Sequence, residues 1–403
     1  MAAKILIVTS SPLCRQPRPL KEATALARAG YEVRVLSVQG RDNDERQDAA
    51  LLSALPFTKQ TVSARSLPTR LRTWLARKLT AIGFPSVYAL GPYSALLHAT
   101  AATPADLTIV HTELGLCIGR ALLGQRRIAA DFEDWHSEDL LPSARQHRPL
   151  RQLRAAEREL LHRAAYVVTT SECLADALHA RYRGTRPQVL TNSFPVRSAS
   201  APSSDLPTTR SSLLTTSSIP SLFWFSQTLG PGRGLEAFLA AWQRMRSRSK
   251  LVLLGEPVAG YADSLLSPLS SEQRARVQLR PLVSPTDLPD VIAQHDVGLA
   301  LEQRHNPNHD LTISNKILQY LNAGLAIVAS DTCGQREVLA RAQVGLLAPF
   351  EDPAAAAGVL DSLLQDRTRL DACQRAAGAL AESHYCWERE EPRLLALVER
   401  ALA

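Results

Sequence analysis

The sequence is poor in several features that would each mark a class of protein. Of its 403 residues only 5% are aromatic and two are methionine. Its six cysteines (Cys14, Cys117, Cys173, Cys333, Cys373 and Cys386) are scattered and form no Cys-x-x-Cys pair. Neither a zinc site nor a disulfide framework is therefore expected, and the six read as reduced thiols. No apolar run approaches the roughly 18 residues that a membrane-spanning helix needs. The opening Met-Ala-Ala-Lys-Ile-Leu-Ile-Val enters a strand pattern at once, without a signal-peptide layout, so a cytoplasmic setting is expected. Lysine is scarce too. Of 46 Lys+Arg only Lys4, Lys21, Lys59, Lys78, Lys250 and Lys316 are lysines, so the basic excess is nearly all arginine. The net charge of +7 is too mild and too spread out for a nucleic-acid partner. It suits an anionic small ligand or an anionic membrane surface.

What remains is an ordinary globular composition, 45% hydrophobic and 21% charged, in a chain long enough for two or three domains. Short β-branched runs alternate with Ala/Leu/Arg-rich amphipathic stretches, the α/β signature. Strands are predicted at Ile5–Thr9, Val33–Val38, Leu107–His111, Ile128–Phe132, Tyr166–Thr170 and Gln188–Leu190. A Ser/Thr/Pro-rich stretch without periodicity then separates a second set: Leu222–Ser226, Lys250–Leu254, Val277–Leu279, Val297–Leu301, Ala326–Ala329 and Gly345–Leu347. The fold class expected is two Rossmann-like doubly wound domains facing a cleft. The first spans 1–195, 196–220 is a linker or loop, the second spans 221–380, and 381–403 is a closing helix. In open parallel sheets ligands sit beyond the carboxyl ends of the strands, which directs attention to the loops there.

Two segments of the second half carry chemistry. In Phe225-Ser-Gln-Thr-Leu-Gly-Pro-Gly-Arg-Gly-Leu-Glu236, a strand gives way to a helix through Gly230, Gly232 and Gly234. These glycines can take positive φ and let the backbone approach a ligand, while Arg233 and the helix-start N–H groups attract a phosphate. In Leu311-Thr-Ile-Ser-Asn-Lys-Ile-Leu-Gln-Tyr-Leu-Asn-Ala-Gly324, Ser314 is a plausible helix N-cap and Gly324 a helix end. Lys316 then lies in the first helical turn, where a cation opposes the macrodipole unless an anion is nearby.

The run Ser-Asn-Lys-Ile-Leu-Gln-Tyr-Leu-Asn-Ala-Gly-Leu-Ala-Ile-Val-Ala-Ser-Asp (314–331) resembles the donor-binding signature of GT-B glycosyltransferases, especially the large retaining family 4. Gly-Arg-Gly-Leu-Glu (232–236) is similar to that family's phosphate loop, and Leu-Pro-Asp-Val-Ile-Ala-Gln-His-Asp-Val-Gly-Leu (288–299) to its short helix and following strand. Glu337-Val338, Gly345-Leu-Leu and Trp387 resemble its closing elements. In the first half, Gln16-Pro-Arg-Pro-Leu-Lys-Glu-Ala and Asp131-Phe-Glu-Asp-Trp-His-Ser-Glu138 resemble its first helix and its Asp-x-His strand end. The departures are Gln319 where the family has glutamate, Leu311 eight positions earlier where it has a second acid, and Glu133 in place of histidine.

The resemblance implies transfer of a sugar: that 221–380 binds a nucleotide-diphosphate sugar, that 1–195 takes an acceptor (a glycan, lipid-linked saccharide, protein or natural product), and that 381–403 crosses back to the first domain. It implies retention, and no cofactor or metal is called for. Donor-side candidates are Ser226, Gly230, Gly232, Arg233, Gly234, Leu282, Ser314, Asn315, Lys316 and Gln319. The catalytic candidates are Arg233 and Lys316 together with His111, Glu133, Asp134 and His136, which end or follow predicted strands. The competing reading is a non-catalytic binding or scaffolding protein on a degenerate transferase fold. A Rossmann oxidoreductase is disfavoured, because the opening strand leads into Thr-Ser-Ser-Pro-Leu-Cys-Arg rather than Gly-x-Gly-x-x-Gly. The stretch Arg65–Phe84 places Leu71, Trp74, Leu75, Leu79 and Ile82 on one helical face with arginines around it. That suits a helix on anionic lipid at the inner face of a membrane. An ordinary core-packed helix with a solvated basic side is the stronger expectation.

Overall fold

A computed structural model describes residues 2–140, 142–197 and 219–403. It divides into two units, one built on Met1–Thr191 and the other on Asn192–His305 with His309–Arg389. The expected linker at 196–220 lies almost wholly outside the described residues.

The first unit holds a seven-stranded sheet: β1 (Lys4–Val8), β2 (Glu32–Val38), β3 (Thr58–Val62), β4 (Leu107–Val110), β5 (Ile128–Phe132), β6 (Val167–Thr169) and β7 (Gln188–Val189). The order is β3-β2-β1-β4-β5-β6-β7, and every pairing is parallel. The central strands are near-continuous apolar runs because helices cover both faces: Ile5 to Val8 of β1 and all of β4 are buried. The chain builds outward from β1 to β3, then returns to the other side of β1 with β4, so the switch point lies between β1 and β4. Glu390–Ala403 also belong to this unit. There Glu390 Oε1 accepts from the Thr191 amide at 3.1 Å, and Arg393 donates to the Val189 carbonyl at 2.6 Å.

The second unit repeats the plan in six parallel strands: β8 (Ser221–Leu229), β9 (Lys250–Pro257), β10 (Val277–Arg280), β11 (Val297–Ala300), β12 (Ala326–Ser330) and β13 (Gly345–Ala348). Their order β10-β9-β8-β11-β12-β13 puts the switch point between β8 and β11. The helix Asn315–Asn322 lies against β11 because Gly298 has no side chain. A Cβ there would stand 2.3 Å from the Tyr320 ring, which is fully buried and donates its hydroxyl to the Leu299 carbonyl at 3.2 Å.

Two expectations are corrected. Strand β3, Thr-Lys-Gln-Thr-Val, was not foreseen; it is a largely exposed edge strand with no apolar alternation to betray it. The helix Leu67–Ala81 is not core-packed through its leucines. Its inward face is Thr69, Thr73, Ala76 and Thr80, while Leu71 and Trp74 are 61% and 57% exposed. Cys14, Cys117, Cys373 and Cys386 are free thiols. No helix among the described residues is long and apolar enough to cross a membrane.

Candidate active site

In the second unit the two loops that leave the switch-point strands meet. After β8 the chain turns through Gly232 and Gly234, at φ +75° and +78°, and starts the helix Leu235–Trp242. Gly234 is irreplaceable on two counts. Its conformation suits glycine, and a Cβ would stand 2.4 Å from the carbonyl oxygen of Leu301, just beyond β11. Gly230 does not have the positive φ expected of it; its reason is close packing, since a Cβ would lie 3.1 Å from Val258. Arg233 projects from this turn and is exposed.

The residue after Leu301 is Glu302, and it organises the site. Lys316 Nζ donates to Glu302 Oε1 at 2.6 Å. Burial alone would raise the Glu302 carboxyl, but Lys316, with His309 and Arg233 adding their charge, holds it below the usual carboxylate range. Lys316, singled out from the sequence, thus pairs with a carboxylate that the sequence reading missed, while Arg233 stays exposed on the glycine turn. The Glu302 backbone carbonyl accepts from the Ser330 hydroxyl, and Gln335 Nε2 donates to Ser330 Oγ at 2.9 Å, which ties the ends of β11 and β12 together.

Around this centre the other donor-side candidates are placed as follows. Ser314 occupies the N-cap position of Asn315–Asn322 but makes no capping bond. Its buried hydroxyl has no hydrogen-bond partner among the described residues. Asn315 Oδ1 accepts from Asn192 at 2.9 Å. Gln319 lies one turn beyond Lys316, half-buried, with no side-chain hydrogen bond among the described residues. Ser226 is half-buried within β8, and Leu282 is exposed after β10.

The switch point of the first unit is filled differently. Arg18, on the helix Pro17–Arg28, is fully buried. It pairs with Asp131 of β5, donates to the Leu190 carbonyl at 2.7 Å and lies 3.5 Å from Glu22. His111, which follows β4, sets Nε2 3.0 Å from Glu22 and Nδ1 3.7 Å from Asp131. Burial would lower the His111 pKa, but Glu22, with Asp131, raises it above the ordinary histidine value. Burial also pushes Asp131 up, against the pull of Arg18 and with the help of the Glu22 charge. Glu22 is held low despite its burial by His111 and Arg18. Beside it, Thr112 has φ +63°, a strained conformation for a β-branched residue, with its hydroxyl accepting from Ser10.

His111 therefore does not stand open at a strand end, as expected, but is 1% exposed among charges. Glu133 is half-buried, and burial together with the Asp134 charge raises its pKa. Asp134 does not cap a helix; its carboxylate accepts from Asn308 Nδ2 at 2.9 Å, and Asn308 Oδ1 accepts from the Trp135 amide at 2.7 Å. His136 opens the short turn His136–Glu138, its Nε2 buried and without a hydrogen-bond partner among the described residues. One ligand atom each from Glu22, His111 and Asp131 lie within 4.8 Å of one another, a spacing that could hold a metal ion. Arg18 already places its guanidinium against Asp131, however, and supplies the positive charge there. The chain contains a single Asp-x-Asp spacing, Asp42-Asn43-Asp44. It opens the helix Asp42–Leu52, where Asp44 is bound by Arg15 and the Arg41 amide and Asp42 by Arg65.

Residues 220–366 match the family model "Glycosyl transferases group 1", and residues 17–193 match "Glycosyl transferase 4-like domain". The chain belongs to the group 1 glycosyltransferases. As an enzyme of this kind it has the GT-B architecture of two parallel-sheet domains, and similar solved structures agree. HepE from Anabaena, crystallised with UDP, is 16% identical, with a TM-score of 0.69 over 99% of this chain and 100% of that one. Sucrose-phosphate synthase from Thermosynechococcus elongatus is 14% identical, with a TM-score of 0.70 over 99% and 98%. WaaG, a glycosyltransferase involved in lipopolysaccharide biosynthesis, is 15% identical, with a TM-score of 0.64 over 98% and 99%. No curated protein matches the chain.

Proposed function

We propose that this glycosyltransferase takes its sugar from a nucleoside diphosphate bound in the second unit, without a metal ion and with retention at the anomeric carbon. The observation that carries the reading is the Lys316–Glu302 pair at the β8/β11 switch point, beside the glycine turn that bears the exposed Arg233. When the bond from the anomeric carbon to the donor phosphate breaks, the electron pair leaves with the diphosphate, whose negative charge grows. Fixed cations and helix N–H groups stabilise that charge in the transition state. Lys316 and Arg233 outnumber Glu302, so the site keeps a net positive charge to offer. The acceptor hydroxyl supplies the incoming oxygen and gives up its proton. Retention rests on the resemblance to family 4. Uridine as the base is suggested by the UDP complex of HepE.

In this reading Gln319 meets the donor ribose, supported by its position one helical turn after Lys316 and by an amide that makes no side-chain hydrogen bond among the described residues. A cytoplasmic setting belongs to the same proposal. The acceptor is a glycan, a lipid-linked saccharide, a protein or a natural product.

The test is thermal denaturation of the wild type and Lys316→Ala with UDP, GDP and ADP. A specific ligand raises the midpoint as it saturates the folded state. One diphosphate should raise the wild-type midpoint and leave the variant unmoved. Equal shifts in both proteins would place the diphosphate elsewhere.

A further inference from the structure

The helix Leu67–Ala81 is docked with its apolar side outward. Seven of the twelve large apolar side chains exposed among the described residues lie between Leu67 and Phe84. At 100° per residue, Leu67, Leu71, Trp74, Leu75 and Ile82 point within a narrow arc opposite the inward Thr69, Thr73, Ala76 and Thr80. The attachment is specific rather than loose. Arg77 Nε donates to the Ala89 carbonyl at 3.0 Å, and the Ser86 amide donates to the Thr80 hydroxyl at 3.3 Å. Arg72 reaches Ser94 at 3.3 Å and lies over the Tyr88 ring. The helix is 15 residues long, about 22 Å, and carries no Asp or Glu. Arg70 flanks the apolar arc and Lys78 lies within it, and neither side chain has a partner among the described residues.

From this arrangement we infer that the helix Leu67–Ala81 seats the enzyme on an anionic phospholipid surface, lying in the plane of the headgroups. The outward leucines and Trp74 enter the acyl boundary, and Arg70 and Lys78 reach the phosphates, Lys78 by extending its stem past the apolar arc. Charge complementarity selects this occupant: an apolar stripe flanked only by cations matches a surface that is apolar beneath and anionic above. The inference goes beyond the donor reading and does not depend on it.

Co-sedimentation of the full chain with vesicles tests it. One set is phosphatidylcholine alone and the other holds about one-third phosphatidylglycerol. The wild type should bind the anionic vesicles about tenfold or more tightly than the neutral ones, and salt should erode the difference. Leu71→Ser with Trp74→Ser should stay in the supernatant with both sets. Arg70→Gln with Lys78→Gln should lose the preference for phosphatidylglycerol. All four side chains are exposed, so thermal midpoints should match the wild type and show that each variant is folded. Wild type left in the supernatant of both vesicle sets overturns the inference, as does unchanged pelleting of the Leu71/Trp74 variant. So does a lipid-free dimer, seen by sedimentation velocity, that the same variant dissolves, since a second copy would then be the occupant.

Discussion

The two units use one topology and treat its switch point in opposite ways. In the first, two acids (Glu22 and Asp131) face Arg18 and a histidine whose pKa they raise, so the cluster comes close to neutralising itself inside the fold. In the second, Lys316 pairs with Glu302, and the glycine-rich turn beside them carries an exposed Arg233. The first arrangement satisfies its own charges and has little left for a ligand; the second has a positive charge to spare and room for a backbone approach. On the proposed reading, two sheets with the same strand order serve one as frame and one as binding site, the difference residing in the side chains that follow the strands.

Arg18→Met breaks the comparison most forcefully. It leaves Asp131 and Glu22 buried without their cation, and removal of one partner of a buried pair costs about 3–5 kcal/mol. Denaturant unfolding should show that loss. A change below about 1 kcal/mol, the scale of an exposed pair, would mean that the cluster does not hold the first unit together. Lys316→Ala is the counterpart in the second unit. It should cost about 2–4 kcal/mol of transition-state stabilisation, read from kcat/KM with the donor, and far less in unfolding than Arg18→Met. A variant with normal turnover but a large stability loss would make Lys316 a frame residue like Arg18.

His111 sharpens the contrast through pH. Its folded pKa is raised, so its contribution is fully present below the ordinary histidine value of about 6.5 and is lost as pH rises through the folded value. Asp131, also raised, works in the same direction at lower pH. The stability gap between wild type and His111→Gln should therefore be widest near pH 6 and should narrow as pH rises through the folded value. Thermal midpoints across that range check it, and a gap independent of pH would show that His111 is not charged in the fold.

Most of the frame could be read from the chain, because buried parallel strands such as Ile-Leu-Ile-Val in β1 are apolar throughout and Leu-Thr-Ile-Val in β4 is interrupted only by Thr108. Strand β3 escaped because an exposed edge needs no such pattern. In helix Leu67–Ala81, periodicity located the apolar face but not which way it points, since a face of threonine and alanine also packs. Arg233 and Lys316 were visible through their settings on a glycine turn and in a helix first turn. Glu302 could have been found by the same rule, as it directly follows the strand predicted at Val297–Leu301. The Arg18–Asp131 pair could not: its partners are 113 positions apart, and neither residue's neighbours specify the other.

The smallest effect expected is at Gln319, where the second unit departs from its family. If this side chain meets the donor ribose, its carbonyl accepts one neutral hydrogen bond where a carboxylate would accept a charge-assisted one. The charged bond is about twice as strong, so Gln319→Glu should tighten donor binding by about 1 kcal/mol. Two effects oppose the gain. The new carboxylate repels the diphosphate, and it adds to the negative charge of Glu302 near Lys316. Repulsion between exposed charges falls with distance and solvent screening. Lys316 and Arg233 stand nearer the phosphates than the ribose does in this reading, so the gain should survive. If Gln319 instead donates through its amide NH₂, the glutamate variant loses a donor and binds more weakly. Calorimetric titration of both proteins with the same nucleoside diphosphate decides it: tighter binding by Gln319→Glu assigns the position to the ribose hydroxyls, and weaker binding removes that role.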